Sequence, residues 1–291
     1  MQGWSYTAIA GLAWSLAPLL AFGLAGDSIA RACEKLPVGV RLVLPVVFGV
    51  PYALAGSASE SGRWFVLYFT LPVLVAVLLW HAKQSDPQQR GDWRDFAILL
   101  ILGLAVDLRW LESAWPTHLS VIGKLILLDS GLYGFLVIRQ LTDVGFDLRI
   151  GRDDIAVALR ELIFFAPIAL TLGLTLGFLH LHASLPRPGS AALTVLVTFF
   201  LIAIPEEIYF RGWIQNLLER RIGRLGSLFL TSAIFGLSHF NKRAVHFNWC
   251  YVLLAAIAGF FYGRAWRQRH RVAASAITHA GVDAIWSLWL R

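Results

Sequence analysis

Glu206 and Glu207 follow Pro205 inside the apolar run TVLVTFFLIAIPEEIYFRGWIQ, and Arg211 comes four residues after Glu207. A charged side chain at the centre of a spanning helix costs about 2.5–3.5 kcal/mol on insertion scales, so each of these needs a reason to be there. The i, i+4 spacing puts Glu207 and Arg211 on one helix face, where they can pair. Glu206 is turned by about 100° from Glu207, cannot share that arginine equally, and is left available. Further on, SLFLTSAIFGLSHF sets Phe235 and His239 at i, i+4, and ITHAGVDAIW does the same for His279 and Asp283, so each pair shares a face. A carboxylate near a histidine can activate a water, and further His or Asp groups can polarise a carbonyl. That combination describes amide hydrolysis. Glu206, His239 and His279 are also the residue types that hold zinc, but HExxH is absent. The first expectation is therefore water activation with no cofactor, and zinc is the alternative. A network that only fixed helix register would more naturally be built from Ser, Thr and Asn, which are cheaper to bury.

Helices must bring these groups together. The chain has 291 residues, 57% of them hydrophobic and 15% charged, with a mean hydropathy of +0.65. Such a composition excludes ordinary soluble, collagen-like, disulfide-rich and disordered classes. The fold expected is all-α, a polytopic transmembrane bundle of about eight to ten helices. Ten apolar stretches fall near 4–25, 38–56, 64–80, 96–106, 117–138, 160–180, 191–218, 227–240, 247–263 and 272–290. The fourth is shorter than a bilayer requires and is expected to be tilted or re-entrant. The first reads as a retained helix, because no charged n-region precedes it. Residues 1–154 are expected to form scaffold helices and 155–291 the catalytic core. Counting about 1.5 Å of rise per residue from the connections near 219, 225 and 271 puts Glu206 at roughly 20 Å, His239 at 21 Å, His279 at 12 Å and Asp283 at 18 Å. Three helices could then share one intramembrane pocket.

The net charge of +7 lies in residues between the apolar stretches, so it reads as a topology signal, with no nucleic-acid partner expected. The odd connections hold 16 of the Lys and Arg residues, among them Arg31, Lys35, Arg41, Lys83 and Arg139, against six in the even set: Arg63, Arg109, Arg187, Lys242, Arg243 and Arg291. Both termini are then expected on the non-cytoplasmic side of the cell (inner) membrane. Segments 81–95 and 139–154 read as a solvated loop and an interfacial connection. Cys33 and Cys250 show no pairing or metal pattern. Gly259 and Gly263 form a small-xxx-small spacing for close helix packing. His246 and Asn248 read as solvated interface, and Lys124 and Asp129 as packing or snorkelling groups.

With EEIYFR at 206–211, FGLSH at 235–239 and HAGVD at 279–283, the chain resembles the CPBP family of intramembrane proteases, also called the ABI or CAAX-protease-like family. That family includes type II CAAX prenyl endopeptidases and proteins of bacteriocin processing or immunity. Its pattern is EExxxR, FxxxH and Hxxx followed by Asn, and the likeness covers roughly 190–290. The resemblance implies that Glu206 is the general base and His239 its partner at the water. His279 and Asp283 would face the oxyanion, with Glu207, Arg211 and Phe235 as supports. Asp283 departs from the usual Asn. An ionised Asp cannot donate to an oxyanion, so it is either protonated or it orients His279. The implied partners are membrane lipid and a peptide substrate with a membrane-embedded or lipidated segment. A non-catalytic peptide-binding or immunity protein is the alternative from another class.

Overall fold

The computed structural model describes residues 5–56, 61–182, 187–242 and 246–290, and among these every regular element is helical. Trp4, where the first apolar stretch begins, and the charges Arg243 and Arg291 lie outside the described residues. Among the described residues seven helical stretches are long and apolar enough to cross a membrane, and the chain is an integral, multi-pass membrane protein. The contacts divide into two compact units, Met1–Thr142 and Asp143–Arg291.

The first unit holds α1 (Tyr6–Glu34), α2 (Val38–Val43), α3 (Val50–Ala55), α4 (Ser61–Ser85), α5 (Trp93–Asp107) and α6 (Ser120–Leu132). A 3-10 stretch joins α2 to α3, and α6 widens into π turns over Tyr133–Ile138. Asp92 caps α5, and Asp95 closes the capping box from inside the first turn. At 15 residues, α5 is about 22 Å long and falls short of a roughly 30 Å hydrocarbon layer. It nevertheless runs the length of α6. Near its start Asp95 meets Arg139 at 2.9 Å, and past its end Glu112 meets Lys124 at 3.4 Å. The 81–95 segment is less solvated than its composition suggests. Arg139 and Asp95 are fully buried, and Asp86 takes a second guanidinium nitrogen at 2.7 Å. A paired Arg–Asp cluster can be buried where the lone charges could not.

The second unit holds α7 (Arg152–Thr175), α8 (Pro188–Thr198), α9 (Ile204–Glu207), α10 (Asn216–Leu237), α11 (Trp249–Arg267) and α12 (Val272–Trp289). From α8 to α10 the helix runs without a break through two π stretches, Phe199–Ala203 and Ile208–Gln215. Pro205 sits between them and brings no N–H to the ladder. At Gly223 the backbone takes φ 75° and ψ 175°, a left-handed value that glycine tolerates best. The chain doubles back there, since Phe210 and Phe235, flanking it almost equally, touch edge to face at 4.9 Å.

Close helix approach depends on glycines. A Cβ on Gly236 would lie 2.5 Å from the Val252 carbonyl and 2.7 Å from Ala256 Cβ. One on Gly259 would reach the Phe235 ring at 3.0 Å, and one on Gly263 would lie 2.6 Å from the Gln215 amide. The small-xxx-small pair is thus a packing feature. Segment 143–151 straps across the turn between α11 and α12. Val272 donates to the Gly145 carbonyl at 2.9 Å, and Arg271 binds Asp154 at 2.8 Å and the Arg149 carbonyl at 2.8 Å. Burial acts to raise the Asp147 carboxyl, but hydrogen bonds from Arg149 and the charges of Arg149 and Arg271 hold it below the ordinary range.

Gly236→Val is expected to lower stability by about 1–3 kcal/mol through overpacking, seen as a lower unfolding temperature in detergent. Gly189→Ala, with nothing within 4 Å of the added Cβ, should leave it unchanged.

Candidate active site

Glu207 and Arg211 form the floor of the site. Both side chains are 0% exposed and stand 3.1 Å apart, one turn from each other as their spacing demands. Arg211 also donates to the Gly259 carbonyl at 2.9 Å, and its guanidinium lies 4.8 Å from the centre of the Phe235 ring, a cation–π distance. The other oxygen of Glu207 meets His279 Nδ1 at 2.9 Å. One buried carboxylate thereby links α9, the π turns after it and α12.

His279 is held on several sides. Tyr262 stacks on its ring at 4.6 Å and 16°, and Phe235 meets it edge-on at 5.6 Å. Its Nε2 faces Asp283 at 3.5 Å and Glu206 at 3.9 Å. Glu206 differs from its neighbour: its side chain is 26% exposed, and Lys242 Nζ lies 3.9 Å from its other oxygen. His239 is buried, with Nδ1 2.9 Å from the Phe235 carbonyl. A carbonyl only accepts, so Nδ1 carries the proton and Nε2 keeps its lone pair free for chemistry. Tyr251 packs on the His239 ring at 4.9 Å.

Straight-rod counting separates His279 from Glu206 by about 8 Å in depth, yet the structure places them in contact. Only the π stretch over 208–215 lies between Glu206 and the connection near 219; its wider turns shorten that path by part of the difference, and the two side chains reaching toward each other span the rest. Three further residues complete the surroundings. Tyr251 and Tyr262 are 11 residues apart on α11, close to three full turns and hence on one face. Lys242 figured in the sequence only as a topology charge. Asn248, read as solvated interface, instead caps α11: it accepts from Tyr251 N at 3.1 Å and donates to the Lys242 carbonyl at 3.2 Å. That bond ties the connection carrying Lys242 to the start of α11. Cys250 is a free thiol, and its side chain has no part in these contacts.

Beside the two histidines opens a cavity of about 140 Å³, lined by α7, α11, α12 and the turn after α7. Phe178, Tyr251 and Trp286 form an aromatic wall, with Phe178 and Trp286 stacked at 5.9 Å, and His239, His279 and Asp283 stand at its polar edge. Among the described residues no three His, Cys, Asp or Glu side chains are gathered so as to hold a metal ion. In the zinc set of Glu206, His239 and His279, the bond from His279 Nδ1 to Glu207 leaves Nε2 as the nitrogen that faces Glu206 and Asp283, at 3.9 and 3.5 Å.

The three motifs lie within one stretch of the chain. Residues 188–285 match the family of type II CAAX prenyl endopeptidases, Rce1-like. The Rce1-like segment begins at the first residue of α8 and includes Glu206, Glu207, Arg211, His239, His279 and Asp283. It supports a CAAX protease family and intramembrane endopeptidase activity in general. A search of curated proteins found no match, nor did a search of solved structures.

Replacing Arg211 with Met leaves Glu207 buried without its cation, a change that costs about 3–5 kcal/mol in buried pairs. The expected result is a large drop in unfolding temperature. Arg211→Met with Glu207→Gln should recover part of it, since the uncompensated charge is then gone.

Proposed function

We propose that the chain is an intramembrane endopeptidase of the glutamic type, with Glu206 as general base. The observation that supports this most is the inequality of the two glutamates: Glu207 is sealed against Arg211 and His279, while Glu206 is open and 3.9 Å from His279 Nε2. A water held between the Glu206 carboxylate and the free Nε2 of His239 gives its proton to Glu206, and its oxygen attacks the carbonyl carbon. The C–N bond then breaks, and the proton on Glu206 passes to the departing nitrogen. His279, donating through Nδ1 to Glu207, can present an N–H at Nε2 to the oxyanion only as the imidazolium. Asp283 is the group that aims that N–H.

The substrate we infer is a membrane-associated peptide with an embedded or lipidated segment. Its residue beside the scissile bond carries a bulky apolar side chain, for which the cavity supplies the scale. An engineered cavity of about 150 Å³ in another protein holds one benzene ring, so about 140 Å³ suits a Leu, Met or Phe side chain. With both termini on the non-cytoplasmic side, the cut falls nearer that face of the bilayer.

Glu206→Gln, inserted to the same level as wild type, is expected to lose cleavage by at least about 100-fold while unfolding at the same temperature. Terminal-peptide mass spectrometry of host membranes reads the loss. New termini that persist with Glu206→Gln would overturn the reading, and the absence of wild-type-specific termini in the native host would favour a peptide-binding or immunity protein. Asp283→Asn should keep activity within about tenfold, because Asn can still accept from His279, and Asp283→Leu should lose more. Chelator treatment should leave cleavage unchanged, and inhibition reversed by added zinc would assign the reaction to the metal form.

A further inference from the structure

A second site lies in the first unit and uses none of the catalytic glutamates and histidines. Where α2, α4 and the π turns after α6 come together, a cavity of about 210 Å³ is lined by Arg41, Lys83, Trp80, Val38, Leu42 and Ile138. Two cations share it, and among the described residues neither stands within ion-pair distance of a carboxylate. Arg41 Nε is buried and has no hydrogen-bond partner. Lys83 gives one proton to the side-chain oxygen of Gln140, whose amide is held in turn by Glu34, so two of its three donors remain. The site is also fixed in place, because Tyr133, itself buried, donates to the Arg41 carbonyl at 2.8 Å and packs edge-on against Phe48 at 6.0 Å.

Two like charges side by side in a half-buried cavity repel each other and lose hydration, so the arrangement is at its best when an anion bridges them. The other walls identify the anion. Val38, Leu42 and Ile138 are apolar, and Trp80 belongs to the type that sits at the headgroup level of a bilayer. An anion joined to hydrocarbon meets both needs at once. Arg41 and Lys83 also come from the odd connections, where the Lys and Arg residues concentrate. That is the side expected to face the anionic leaflet, where basic pockets between spanning helices take up lipid headgroups. We infer that this pocket binds the phosphate of an anionic phospholipid, with Arg41 and Lys83 on the phosphate and the apolar wall along the glycerol and upper acyl chain. The site is independent of the proteolytic reading.

The test uses the full chain in phosphatidylcholine vesicles, with or without phosphatidylglycerol, followed by thermal unfolding and by native mass spectrometry of retained lipid. Phosphatidylglycerol should raise the wild-type unfolding temperature by several degrees, and lipid adducts should survive into the gas phase. Arg41→Gln with Lys83→Gln should unfold like wild type in phosphatidylcholine alone and lose most of the shift and the adducts. Arg41→Lys, which keeps the charge, should retain at least half of the shift. Arg31→Gln removes an exposed charge of the same connection outside the cavity and should retain it all. The inference is overturned if the double variant keeps the full shift, or if phosphatidylglycerol produces none. It is also overturned if inorganic phosphate at millimolar concentration reproduces the shift and the adducts, since the site would then take a free anion.

Discussion

The buried contact between Glu207 and Arg211 is the constraint around which the second unit is organised. Neither charge could remain in an apolar interior alone, and once paired they still have hydrogen-bonding capacity to satisfy. The spare nitrogen of Arg211 goes to a carbonyl that α11 exposes at Gly259, and the spare oxygen of Glu207 goes to His279 on α12. Both demands act across helices. The pair therefore fixes the depth and rotation of α11 and α12 relative to the helix that carries Glu206, and apolar contacts alone are too forgiving to do that in a bilayer. The glycines on α10 and α11 are the steric counterpart, since the guanidinium reaches the α11 backbone only because that backbone can come close.

What the sequence made legible was local. The pairs 207/211, 235/239 and 279/283 stand out because an i, i+4 spacing guarantees a shared face wherever the helix lies. The groups that depend on tertiary packing were not legible in the same way. Lys242 reaches Glu206 because Asn248 folds its connection back, and Tyr251 and Tyr262 matter through the histidines they touch. Arg139 and Asp95 are 44 residues apart, and charges that look like loop residues one at a time become interior ones only when they meet. The counting of depth brought these groups to one region but followed backbone levels along straight helices, whereas the contact between His279 and Glu206 is made by side-chain ends and on a helix that contains π turns.

The two units handle charge in different ways. In the first, Arg139 is held by two aspartates, while Arg41 and Lys83 line a cavity with no carboxylate at ion-pair distance among the described residues. In the second, Glu207 is sealed between Arg211 and His279, while Glu206 has only the longer contacts to Lys242 and His279 and, like Asp283, keeps partial access to the outside. Uncompensated charge is costly in this environment, so the places where a fold keeps it are the places to look for something that arrives from outside the chain.

The π turns at 208–215 carry a further implication, for the length of the chain as well as its composition. An α-helix with the same residues would advance each side chain by a larger angle, about 100° per residue, than the wider turns do, and over this stretch the mismatch shifts whatever lies upstream around the helix axis. Deleting one residue there would let the wide turns relax to α geometry. A one-residue shift that the wide turns did not absorb would move both glutamates the same way by about 100°, bringing Glu206 to the place of Glu207 and turning Glu207 away from the arginine. Between Glu207 and Gly223, this protein is read in register, and insertions or deletions that surface loops would absorb should be far less tolerated here than any single conservative substitution.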